Sequence, residues 1–184
     1  MKFIVRTSAF LLSTAVLIAV LLGFTYKLTQ EPIAHKMTQT REDAMKEVLP
    51  HADVFMKIQV ETPGNITGAY RGTESGRETG YVAEMAIEGY AGRVDLLVGI
   101  SSVDAVVTGM RILKHSETPG LGALAVKESF YKQFDNRRLE PLTVVKASPG
   151  DLDIDAITGA TVTTRAITKA VNEAIEWYNG GGVQ

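Results

Sequence analysis

The sequence predicts an α+β fold, an antiparallel sheet with flanking helices, preceded by one N-terminal transmembrane helix. Three patterns lead to this prediction. Residues 7–26 carry no charge, and that length is roughly what a helix needs to cross a bilayer. Residues 81–113 contain strand-like segments joined by short turns, which favours antiparallel pairing. Residues 162–178 repeat apolar side chains at the spacing of one helix face.

The apolar N-terminal segment has two interpretations. A cleaved signal peptide also has a basic start, here Lys2 and Arg6, followed by an apolar core. No small-x-small cleavage site follows Gly23, and the run is longer than a usual signal core, so we favour an uncleaved anchor. The basic residues before the anchor place residues 1–6 in the cytoplasm and the following domain on the outer side.

The rest of the chain divides into three parts. Residues 27–50 are expected to form a juxtamembrane linker and helix, beginning near Pro32 and ending at Pro50. Residues 51–179 form the folded domain, and residues 180–184 form a flexible tail. The glycine-rich residues between 63 and 80 are expected to be turns around a polar hairpin. Strands are predicted at 54–60, 81–88, 94–101, 105–113 and 142–147, and helices at 123–134 and 162–178.

Composition excludes several classes of function. The chain has 184 residues, 45% hydrophobic and 22% charged, with a formal net charge of -2, as in an ordinary globular domain. No basic cluster is present, so we expect no nucleic-acid partner. The absence of cysteine excludes disulfides, thiolate-held iron–sulfur clusters and c-type haem attachment. The three histidines are far apart in sequence, and we predict no metal site.

Residues 155–164, here called the threonine turn, contain four threonines directly before the last predicted helix. A helix N-terminus presents unpaired N–H groups and a partial positive charge, which together favour a phosphate or a carboxylate. A hydroxyl at this place can bond a phosphate or be esterified by one. The alternative is that Thr158 or Thr161 is only the N-cap, the usual role of threonine there. Spacing alone leaves both interpretations open.

Residues 117–122, here called the glycine loop, have the sequence Glu-Thr-Pro-Gly-Leu-Gly. Its two glycines allow a ligand to approach the main chain closely. The alternative is a simple connector between the last long strand and the helix predicted at 123–134. Loops of this composition often carry function, so the glycine loop is a second candidate for the binding site.

At this point the two segments show a resemblance to a known family. The threonine turn resembles the flavinylation motif of FMN-binding domains, D-x-x-[ST]-G-A-T, at residues 155–161. The glycine loop resembles the second signature of that family, and residues 89–92 together with 96–100 resemble its strand region. The resemblance implies that FMN is joined through its phosphate to the hydroxyl of Thr161 by a separate flavin transferase. It also implies that Asp155 serves recognition by the transferase or holds the turn.

The same resemblance implies which residues surround the cofactor. The threonine turn would contact the phosphate and ribityl chain, and the glycine loop would lie near the isoalloxazine. Tyr90 is a candidate for stacking on the ring, with a core tyrosine at a turn as the alternative. The expected FMN-binding residues are Thr158, Gly159, Ala160, Thr161, Thr163, Thr164, Glu117, Thr118, Pro119, Gly120, Leu121, Gly122 and Tyr90.

Taken whole, the chain resembles the G subunits of Rnf (Rsx) electron-transport complexes, with the C subunits of sodium-pumping NADH:quinone oxidoreductases as the alternative. This implies a single-pass protein of the bacterial inner membrane with its FMN domain on the periplasmic side. Its partners would be the lipid bilayer, the flavin transferase and the A, B, C, D and E subunits of the complex. It would relay electrons while the complex moves Na+ or H+, and would not be a catalyst alone.

Two further hypotheses belong to other classes. A stand-alone flavin reductase would need a nicotinamide-binding motif, and neither a G-x-G-x-x-G following a strand nor a Walker loop occurs in the chain. A non-redox, membrane-anchored binding domain would leave the threonine turn unmodified. Flavin on the denatured chain therefore separates this last hypothesis from the others.

Overall fold

The computed structural model describes residues 2–59, 64–146 and 150–182, without the side chains of residues 2–4 and 27–38. The chain forms two compact units, Met1–Thr40 and Arg41–Gln184. The first helix, α1, spans Lys2–Val48, so one helix covers both predicted N-terminal helical segments. It does not begin anew at Pro32, and it ends two residues before Pro50, as the sequence predicts.

The first unit contains the apolar part of α1. Residues Val5–Tyr26 have a mean hydropathy of 2.2 and are 0% buried, so by length and composition this helix is able to cross a membrane. The hydroxyls of Ser13, Thr14 and Thr25 donate to carbonyl oxygens three or four residues earlier. Hydrogen bonds within the helix are what a hydrocarbon environment requires of polar side chains.

The second unit is built on an antiparallel sheet whose six strands lie side by side in chain order, β1 to β6. The predicted fold class, an antiparallel sheet with flanking helices, is confirmed. These strands are β1 Val54–Ile58, β2 Ile66–Glu74, β3 Arg77–Glu88, β4 Arg93–Ser101, β5 Val106–His115 and β6 Arg137–Arg138. A parallel pair, β7 Thr143–Val145 and β8 Asp153–Asp155, lies apart from the sheet. The remaining helices are α2 Glu128–Tyr131 and α3 Thr161–Asn179, with 3₁₀ turns at Gly122–Val126 and Lys132–Phe134.

Both faces of the sheet are covered. The apolar stripe of α3, which includes Ile167, Val171 and Ile175, belongs to the larger core cluster with side chains of β3, β4 and β5. The last turns of α1, with Met45 and Val48, form a smaller cluster on Val82 and Leu97. Strand β4 is therefore buried almost throughout, which explains its nearly continuous apolar sequence.

The end of α1 approaches the sheet at a glycine. A Cβ atom at Gly99 would overlap the carbonyl oxygen of Val48 and lie 2.7 Å from Oγ1 of Thr108. Thr108 Oγ1 also donates a hydrogen bond to that same carbonyl oxygen. The free C-terminal carbonyl of the helix is thus satisfied by a strand side chain, at a distance that only glycine in β4 permits.

We expect Gly99→Ala to destabilise the protein by roughly 1–3 kcal/mol, because the added methyl group overpacks a backbone contact. Thermal unfolding of the full chain in detergent, followed by circular dichroism, measures this loss. Gly68→Ala is the matched control, since a Cβ there makes only ordinary contacts, the nearest at 3.5 Å. Equal unfolding temperatures for the two variants would contradict the proposed contact.

The prediction that the glycine-rich residues between 63 and 80 are mainly turns is wrong. This region holds β2 and the start of β3, with the hairpin turn confined to Ser75 and Gly76 at φ values of 50° and 79°. Two further glycines of this region serve close packing: a Cβ at Gly72 would meet the side chains of Leu49 and Ala52, and a Cβ at Gly80 would overlap the carbonyl oxygen of Ile100. Residues 60–63, 147–149 and 183–184, which include the ends of two predicted strands and of the predicted tail, lie outside the described residues.

The helix expected at 123–134 is instead three short helical turns. Lys127 adopts an extended conformation, φ −79° and ψ 146°, which separates the first 3₁₀ turn from α2. The acidic link expected after residue 150 contains β8, which pairs with β7. The predicted helix at 162–178 and the strand at 94–101 agree with α3 and β4 to within one residue.

Candidate functional site

Three segments distant in sequence meet at one end of the sheet and enclose a cleft of about 390 Å³, within the usual range for small-ligand sites. They are the turn between β3 and β4, the glycine loop after β5, and the first turn of α3. The strands are antiparallel and lie in chain order. The end of β3, the start of β4 and the end of β5 therefore lie at the same end of the sheet. The cleft is lined by Tyr90, Glu117, Thr118, Leu121, Gly122, Gly159, Ala160, Thr161, Val162 and Thr163.

The N-terminus of α3 opens into this cleft. Ala160 is its N-cap residue, and no side chain caps the helix. The suggestion that Thr158 or Thr161 is the N-cap is therefore wrong. The N–H groups of the first helical turn, from Thr161 to Thr163, have no carbonyl within the helix to bond. Together with the helix dipole, they make this terminus suitable for an anion.

The four threonine hydroxyls of the turn have different environments. Thr164 is fully buried, donates to the carbonyl oxygen of Ala160 at 3.0 Å and accepts from the N–H of Ile157 at 3.1 Å. Thr163 is also buried, and its hydroxyl donates to Glu117. Thr158 is exposed and lies outside the cleft lining. Thr161 lines the cleft, and within the described part of the chain its hydroxyl has no hydrogen-bond partner.

The carboxylate of Glu117 connects the three segments. It is 6% exposed. Its Oε1 accepts from the N–H groups of Tyr90 at 2.7 Å and Ala91 at 3.1 Å. Its Oε2 accepts from the hydroxyl of Thr163 at 2.8 Å. The family resemblance implies that Glu117 lies near a cofactor, but the sequence carries no sign of these contacts, because the partners of Glu117 lie 26 to 46 residues away.

Glycines make room for this carboxylate. A Cβ at Gly89 or at Gly122 would overlap an Oε atom of Glu117. The backbone N–H of Glu117 donates to Nδ1 of His115 at 3.2 Å, which fixes the start of the glycine loop on the end of β5. The glycines at 89 and 122 therefore serve packing around a buried charge, in addition to any approach of a ligand.

The glycine loop is itself an ordered turn. The N–H groups of Leu121 and Ala123 both donate to the carbonyl oxygen of Thr118 at 3.2 Å, and Gly120 has a φ of 79°. Gly159, with a φ of 78°, faces this loop: a Cβ there would lie 3.0 Å from Cδ2 of Leu121. The loop and the threonine turn are thus in contact, whereas the expected binding residues Pro119 and Gly120 lie outside the cleft lining.

The rim of the cleft is apolar and exposed. Tyr90 is 74% exposed, Leu121 43% and Val162 54%. The alternative that Tyr90 is a core tyrosine is therefore wrong. Val162, which no sequence motif indicated, also belongs to this rim. It follows Thr161 and lies on the exposed side of α3. Three apolar side chains from three segments offer a surface for a flat ring system.

Two residues that the sequence motifs did not indicate support the start of the threonine turn and the segment just before it. The side-chain amide of Gln133 pairs with the backbone of Asp155, accepting from its N–H at 2.7 Å and donating to its carbonyl oxygen at 3.4 Å. Arg137 donates to the carbonyl oxygens of Asp151 and Asp153. Neither Gln133 nor Arg137 belongs to a recognisable sequence motif, since the backbone groups that they bond come close to them only in the folded chain.

We expect Glu117→Ala to destabilise the protein by at least about 2 kcal/mol, because two backbone N–H groups and the buried hydroxyl of Thr163 lose their acceptor. Glu117→Gln should cost less, since its carbonyl oxygen still accepts from Tyr90 and Ala91. Urea unfolding of the full chain in detergent compares the two variants with Glu88→Ala, an exposed carboxylate on β3. Stability of Glu117→Ala equal to that of the control would show that the bridge does not hold the segments together.

The family model of the FMN-binding domain matches residues 89–176. That range contains the β3–β4 turn, the glycine loop and the first turn of α3, so every residue lining the cleft lies inside it. The fold is also found in solved structures. The crystal structure of NqrC from Shewanella oneidensis superimposes with a TM-score of 0.57 at 15% identity, covering 77% of this chain and 93% of that one.

A second solved structure gives the same result. The C subunit of the Na(+)-translocating NADH-quinone reductase from Parabacteroides distasonis has a TM-score of 0.59 at 14% identity, with 82% of this chain and 96% of that chain covered. At such identities the likeness establishes the fold alone.

Curated relatives are closer in sequence. The G subunit of the proton-translocating ferredoxin:NAD(+) oxidoreductase complex of Clostridium ljungdahlii is 35% identical, with 89% of this chain and 85% of the relative covered. The G subunit of the Na(+)-translocating complex of Acetobacterium woodii is 35% identical, with 96% and 92% covered. The chain belongs to the family of G subunits of ion-translocating oxidoreductase complexes. The expected membership in this family is confirmed.

Proposed function

We propose that this protein is a membrane-anchored electron carrier of an ion-translocating ferredoxin:NAD+ oxidoreductase complex, with FMN esterified through its phosphate to Thr161. The observation that carries the proposal is the position of the Thr161 hydroxyl. It stands at the first residue of α3, lines the cleft and makes no hydrogen bond within the described chain. The other three hydroxyls of the turn are engaged in hydrogen bonds or lie outside the cleft.

The helix terminus suits the phosphate. A phosphoester on Thr161 would place anionic oxygens beside the N–H groups of the first turn, which have no partner within α3. Thr163 is committed as a donor to Glu117, and Thr164 as a donor to Ala160. We therefore assign phosphate binding to these N–H groups, and give Thr163 and Thr164 the task of shaping the turn. The exposed Thr158 would add at most a peripheral contact.

The rim suits the isoalloxazine. Tyr90, Leu121 and Val162 present exposed apolar surface around the cleft, and burying it under a ring would be favourable. Gly159 and Ala160 are small enough for the ribityl chain to pass along the turn. When bound, FMN supplies the electron acceptance and donation, and the chain binds and orients it.

The names of the relatives support a role within a complex. Both curated relatives are subunits of ferredoxin:NAD(+) oxidoreductase complexes. We propose that the A, B, C, D and E subunits of such a complex are the partners and that the chain passes electrons between them. A separate flavin transferase would attach the cofactor. The carboxylate of Asp155 has no hydrogen bond within the described residues, which supports its recognition by that enzyme.

We expect Thr161→Ala to abolish covalent flavin, because the esterified hydroxyl is removed. The full chain is produced together with a flavin transferase, denatured on a gel and examined for flavin fluorescence. Thr161→Ser should retain fluorescence, since it keeps a hydroxyl at the same position. Thr158→Ala is the matched control on the same turn and should remain fluorescent.

A fluorescent Thr161→Ala band would show that the flavin is attached elsewhere. A wild-type chain without fluorescence, in cells that flavinylate another substrate of the transferase, would favour a non-redox binding domain.

We also propose that Val5–Tyr26 anchors the chain in the inner membrane, with residues 51–179 on the periplasmic side and residues 1–6 in the cytoplasm. The length and hydropathy of this segment support the anchor. The basic residues Lys2 and Arg6 support the orientation.

The cysteine-free sequence allows a direct test of this orientation. A single cysteine replacing Val103, which is 74% exposed in the β4–β5 turn, should react with a membrane-impermeant maleimide in intact cells. Lys2→Cys should react only after the membrane is opened. The reverse pattern would place the folded domain in the cytoplasm.

A further inference from the structure

The buried carboxylate of Glu117 is surrounded by donors. Its three hydrogen-bond partners are two backbone N–H groups and one hydroxyl, all donating to it. Among the ion pairs of the described residues, none includes Glu117. The nearby His115 accepts through Nδ1 from the backbone N–H of Glu117 and, among the described residues, makes no hydrogen bond or ion pair with its carboxylate. The surroundings satisfy an ionised carboxylate without supplying a neutralising cation.

We propose that Glu117 is a residue that tunes the flavin: its fixed negative charge lowers the reduction potential of FMN held on Thr161. The proposal rests on the function proposed above. Glu117 lines the same cleft as Thr161 and the rim residues, and it is 6% exposed. Its charge is therefore poorly screened by solvent and acts on whatever occupies the cleft.

The charge balance of reduction gives the direction. If the low-potential electron donor of the complex supplied two electrons and solvent supplied one proton, a neutral isoalloxazine held in this cleft would gain one net negative charge. A nearby fixed negative charge opposes the addition of that charge, in the way that like charges disfavour ionisation. Glu117 thus favours the oxidised ring and makes the reduced ring a stronger electron donor. The three hydrogen bonds moderate this effect, because each draws charge away from the carboxylate.

The first variant removes the charge and keeps the shape. Glu117→Gln should shift the midpoint potential of the attached FMN to a more positive value. We expect the equilibrium constant for reduction to rise about tenfold or more, which corresponds to ~30 mV for a two-electron couple. The potential is measured on the full chain in detergent by dithionite titration against a reference dye. Glu176→Gln is the matched control: it also removes one negative charge, but from the last turns of α3, and should leave the potential unchanged.

The second variant keeps the charge and removes a donor. Thr163→Val preserves side-chain shape while Oε2 of Glu117 loses its hydroxyl partner, so the carboxylate carries more of its charge into the cleft. The midpoint potential should then shift to a more negative value. A general disturbance of the cleft would move both variants in the same direction, whereas a charge effect moves them in opposite directions.

The two outcomes are distinguishable from failure of the proposed function. If the wild-type chain carries no flavin on a denaturing gel, the attachment itself is wrong. If it carries flavin, an unchanged or more negative potential in Glu117→Gln overturns the tuning role, as does an equal shift in Glu176→Gln. If Glu117→Gln accepts no flavin, the Thr163→Val potential decides: a more negative value supports the role, and any other value overturns it.

Discussion

The contact on which the site depends is the buried carboxylate of Glu117. It holds the β3–β4 turn through two backbone N–H groups and α3 through the hydroxyl of Thr163. A carboxylate accepts hydrogen bonds from several directions, so one side chain is able to join segments that are far apart in the sequence. Gly89 and Gly122 leave the space that this carboxylate occupies. The carboxylate of Glu117, together with the lack of a side chain at Gly89 and Gly122, therefore sets the shape of the cleft.

The sheet supplies the frame for that contact. Its strands lie in chain order, so the turn after β3 and the end of β5 emerge at the same edge. Helix α3 and the end of α1 cover opposite faces of the sheet, and each contributes side chains to a different core cluster. Close approach of α1 requires Gly99 and Gly72, which have no side chain to separate helix from strand. The position of the α3 N-terminus follows from packing of its apolar stripe on the sheet.

In the proposed function, the same cleft joins attachment and electron transfer. The hydroxyl of Thr161, which has no hydrogen-bond partner among the described residues, would take the phosphate at a helix terminus, and the exposed rim would hold the ring at the protein surface. An attached cofactor at the surface is able to meet other subunits without being lost between reduction and oxidation. The buried carboxylate beside it then acts on the potential, while the apolar rim acts on ring orientation. Binding, tethering and tuning are thus assigned to different residues.

The sequence by itself determined the fold class, the apolar segment, β4 and α3, because these follow from local periodicity of side chains. The resemblance of its threonine motif to a family signature is the basis for proposing one hydroxyl among four, that of Thr161. Only the tertiary structure decided that Ala160 is the N-cap, that residues 66–74 and 153–155 are strands, and that Glu117 bridges the cleft. Strand pairing and buried hydrogen bonds depend on partners distant along the chain. Those partners become neighbours only when the sheet has formed.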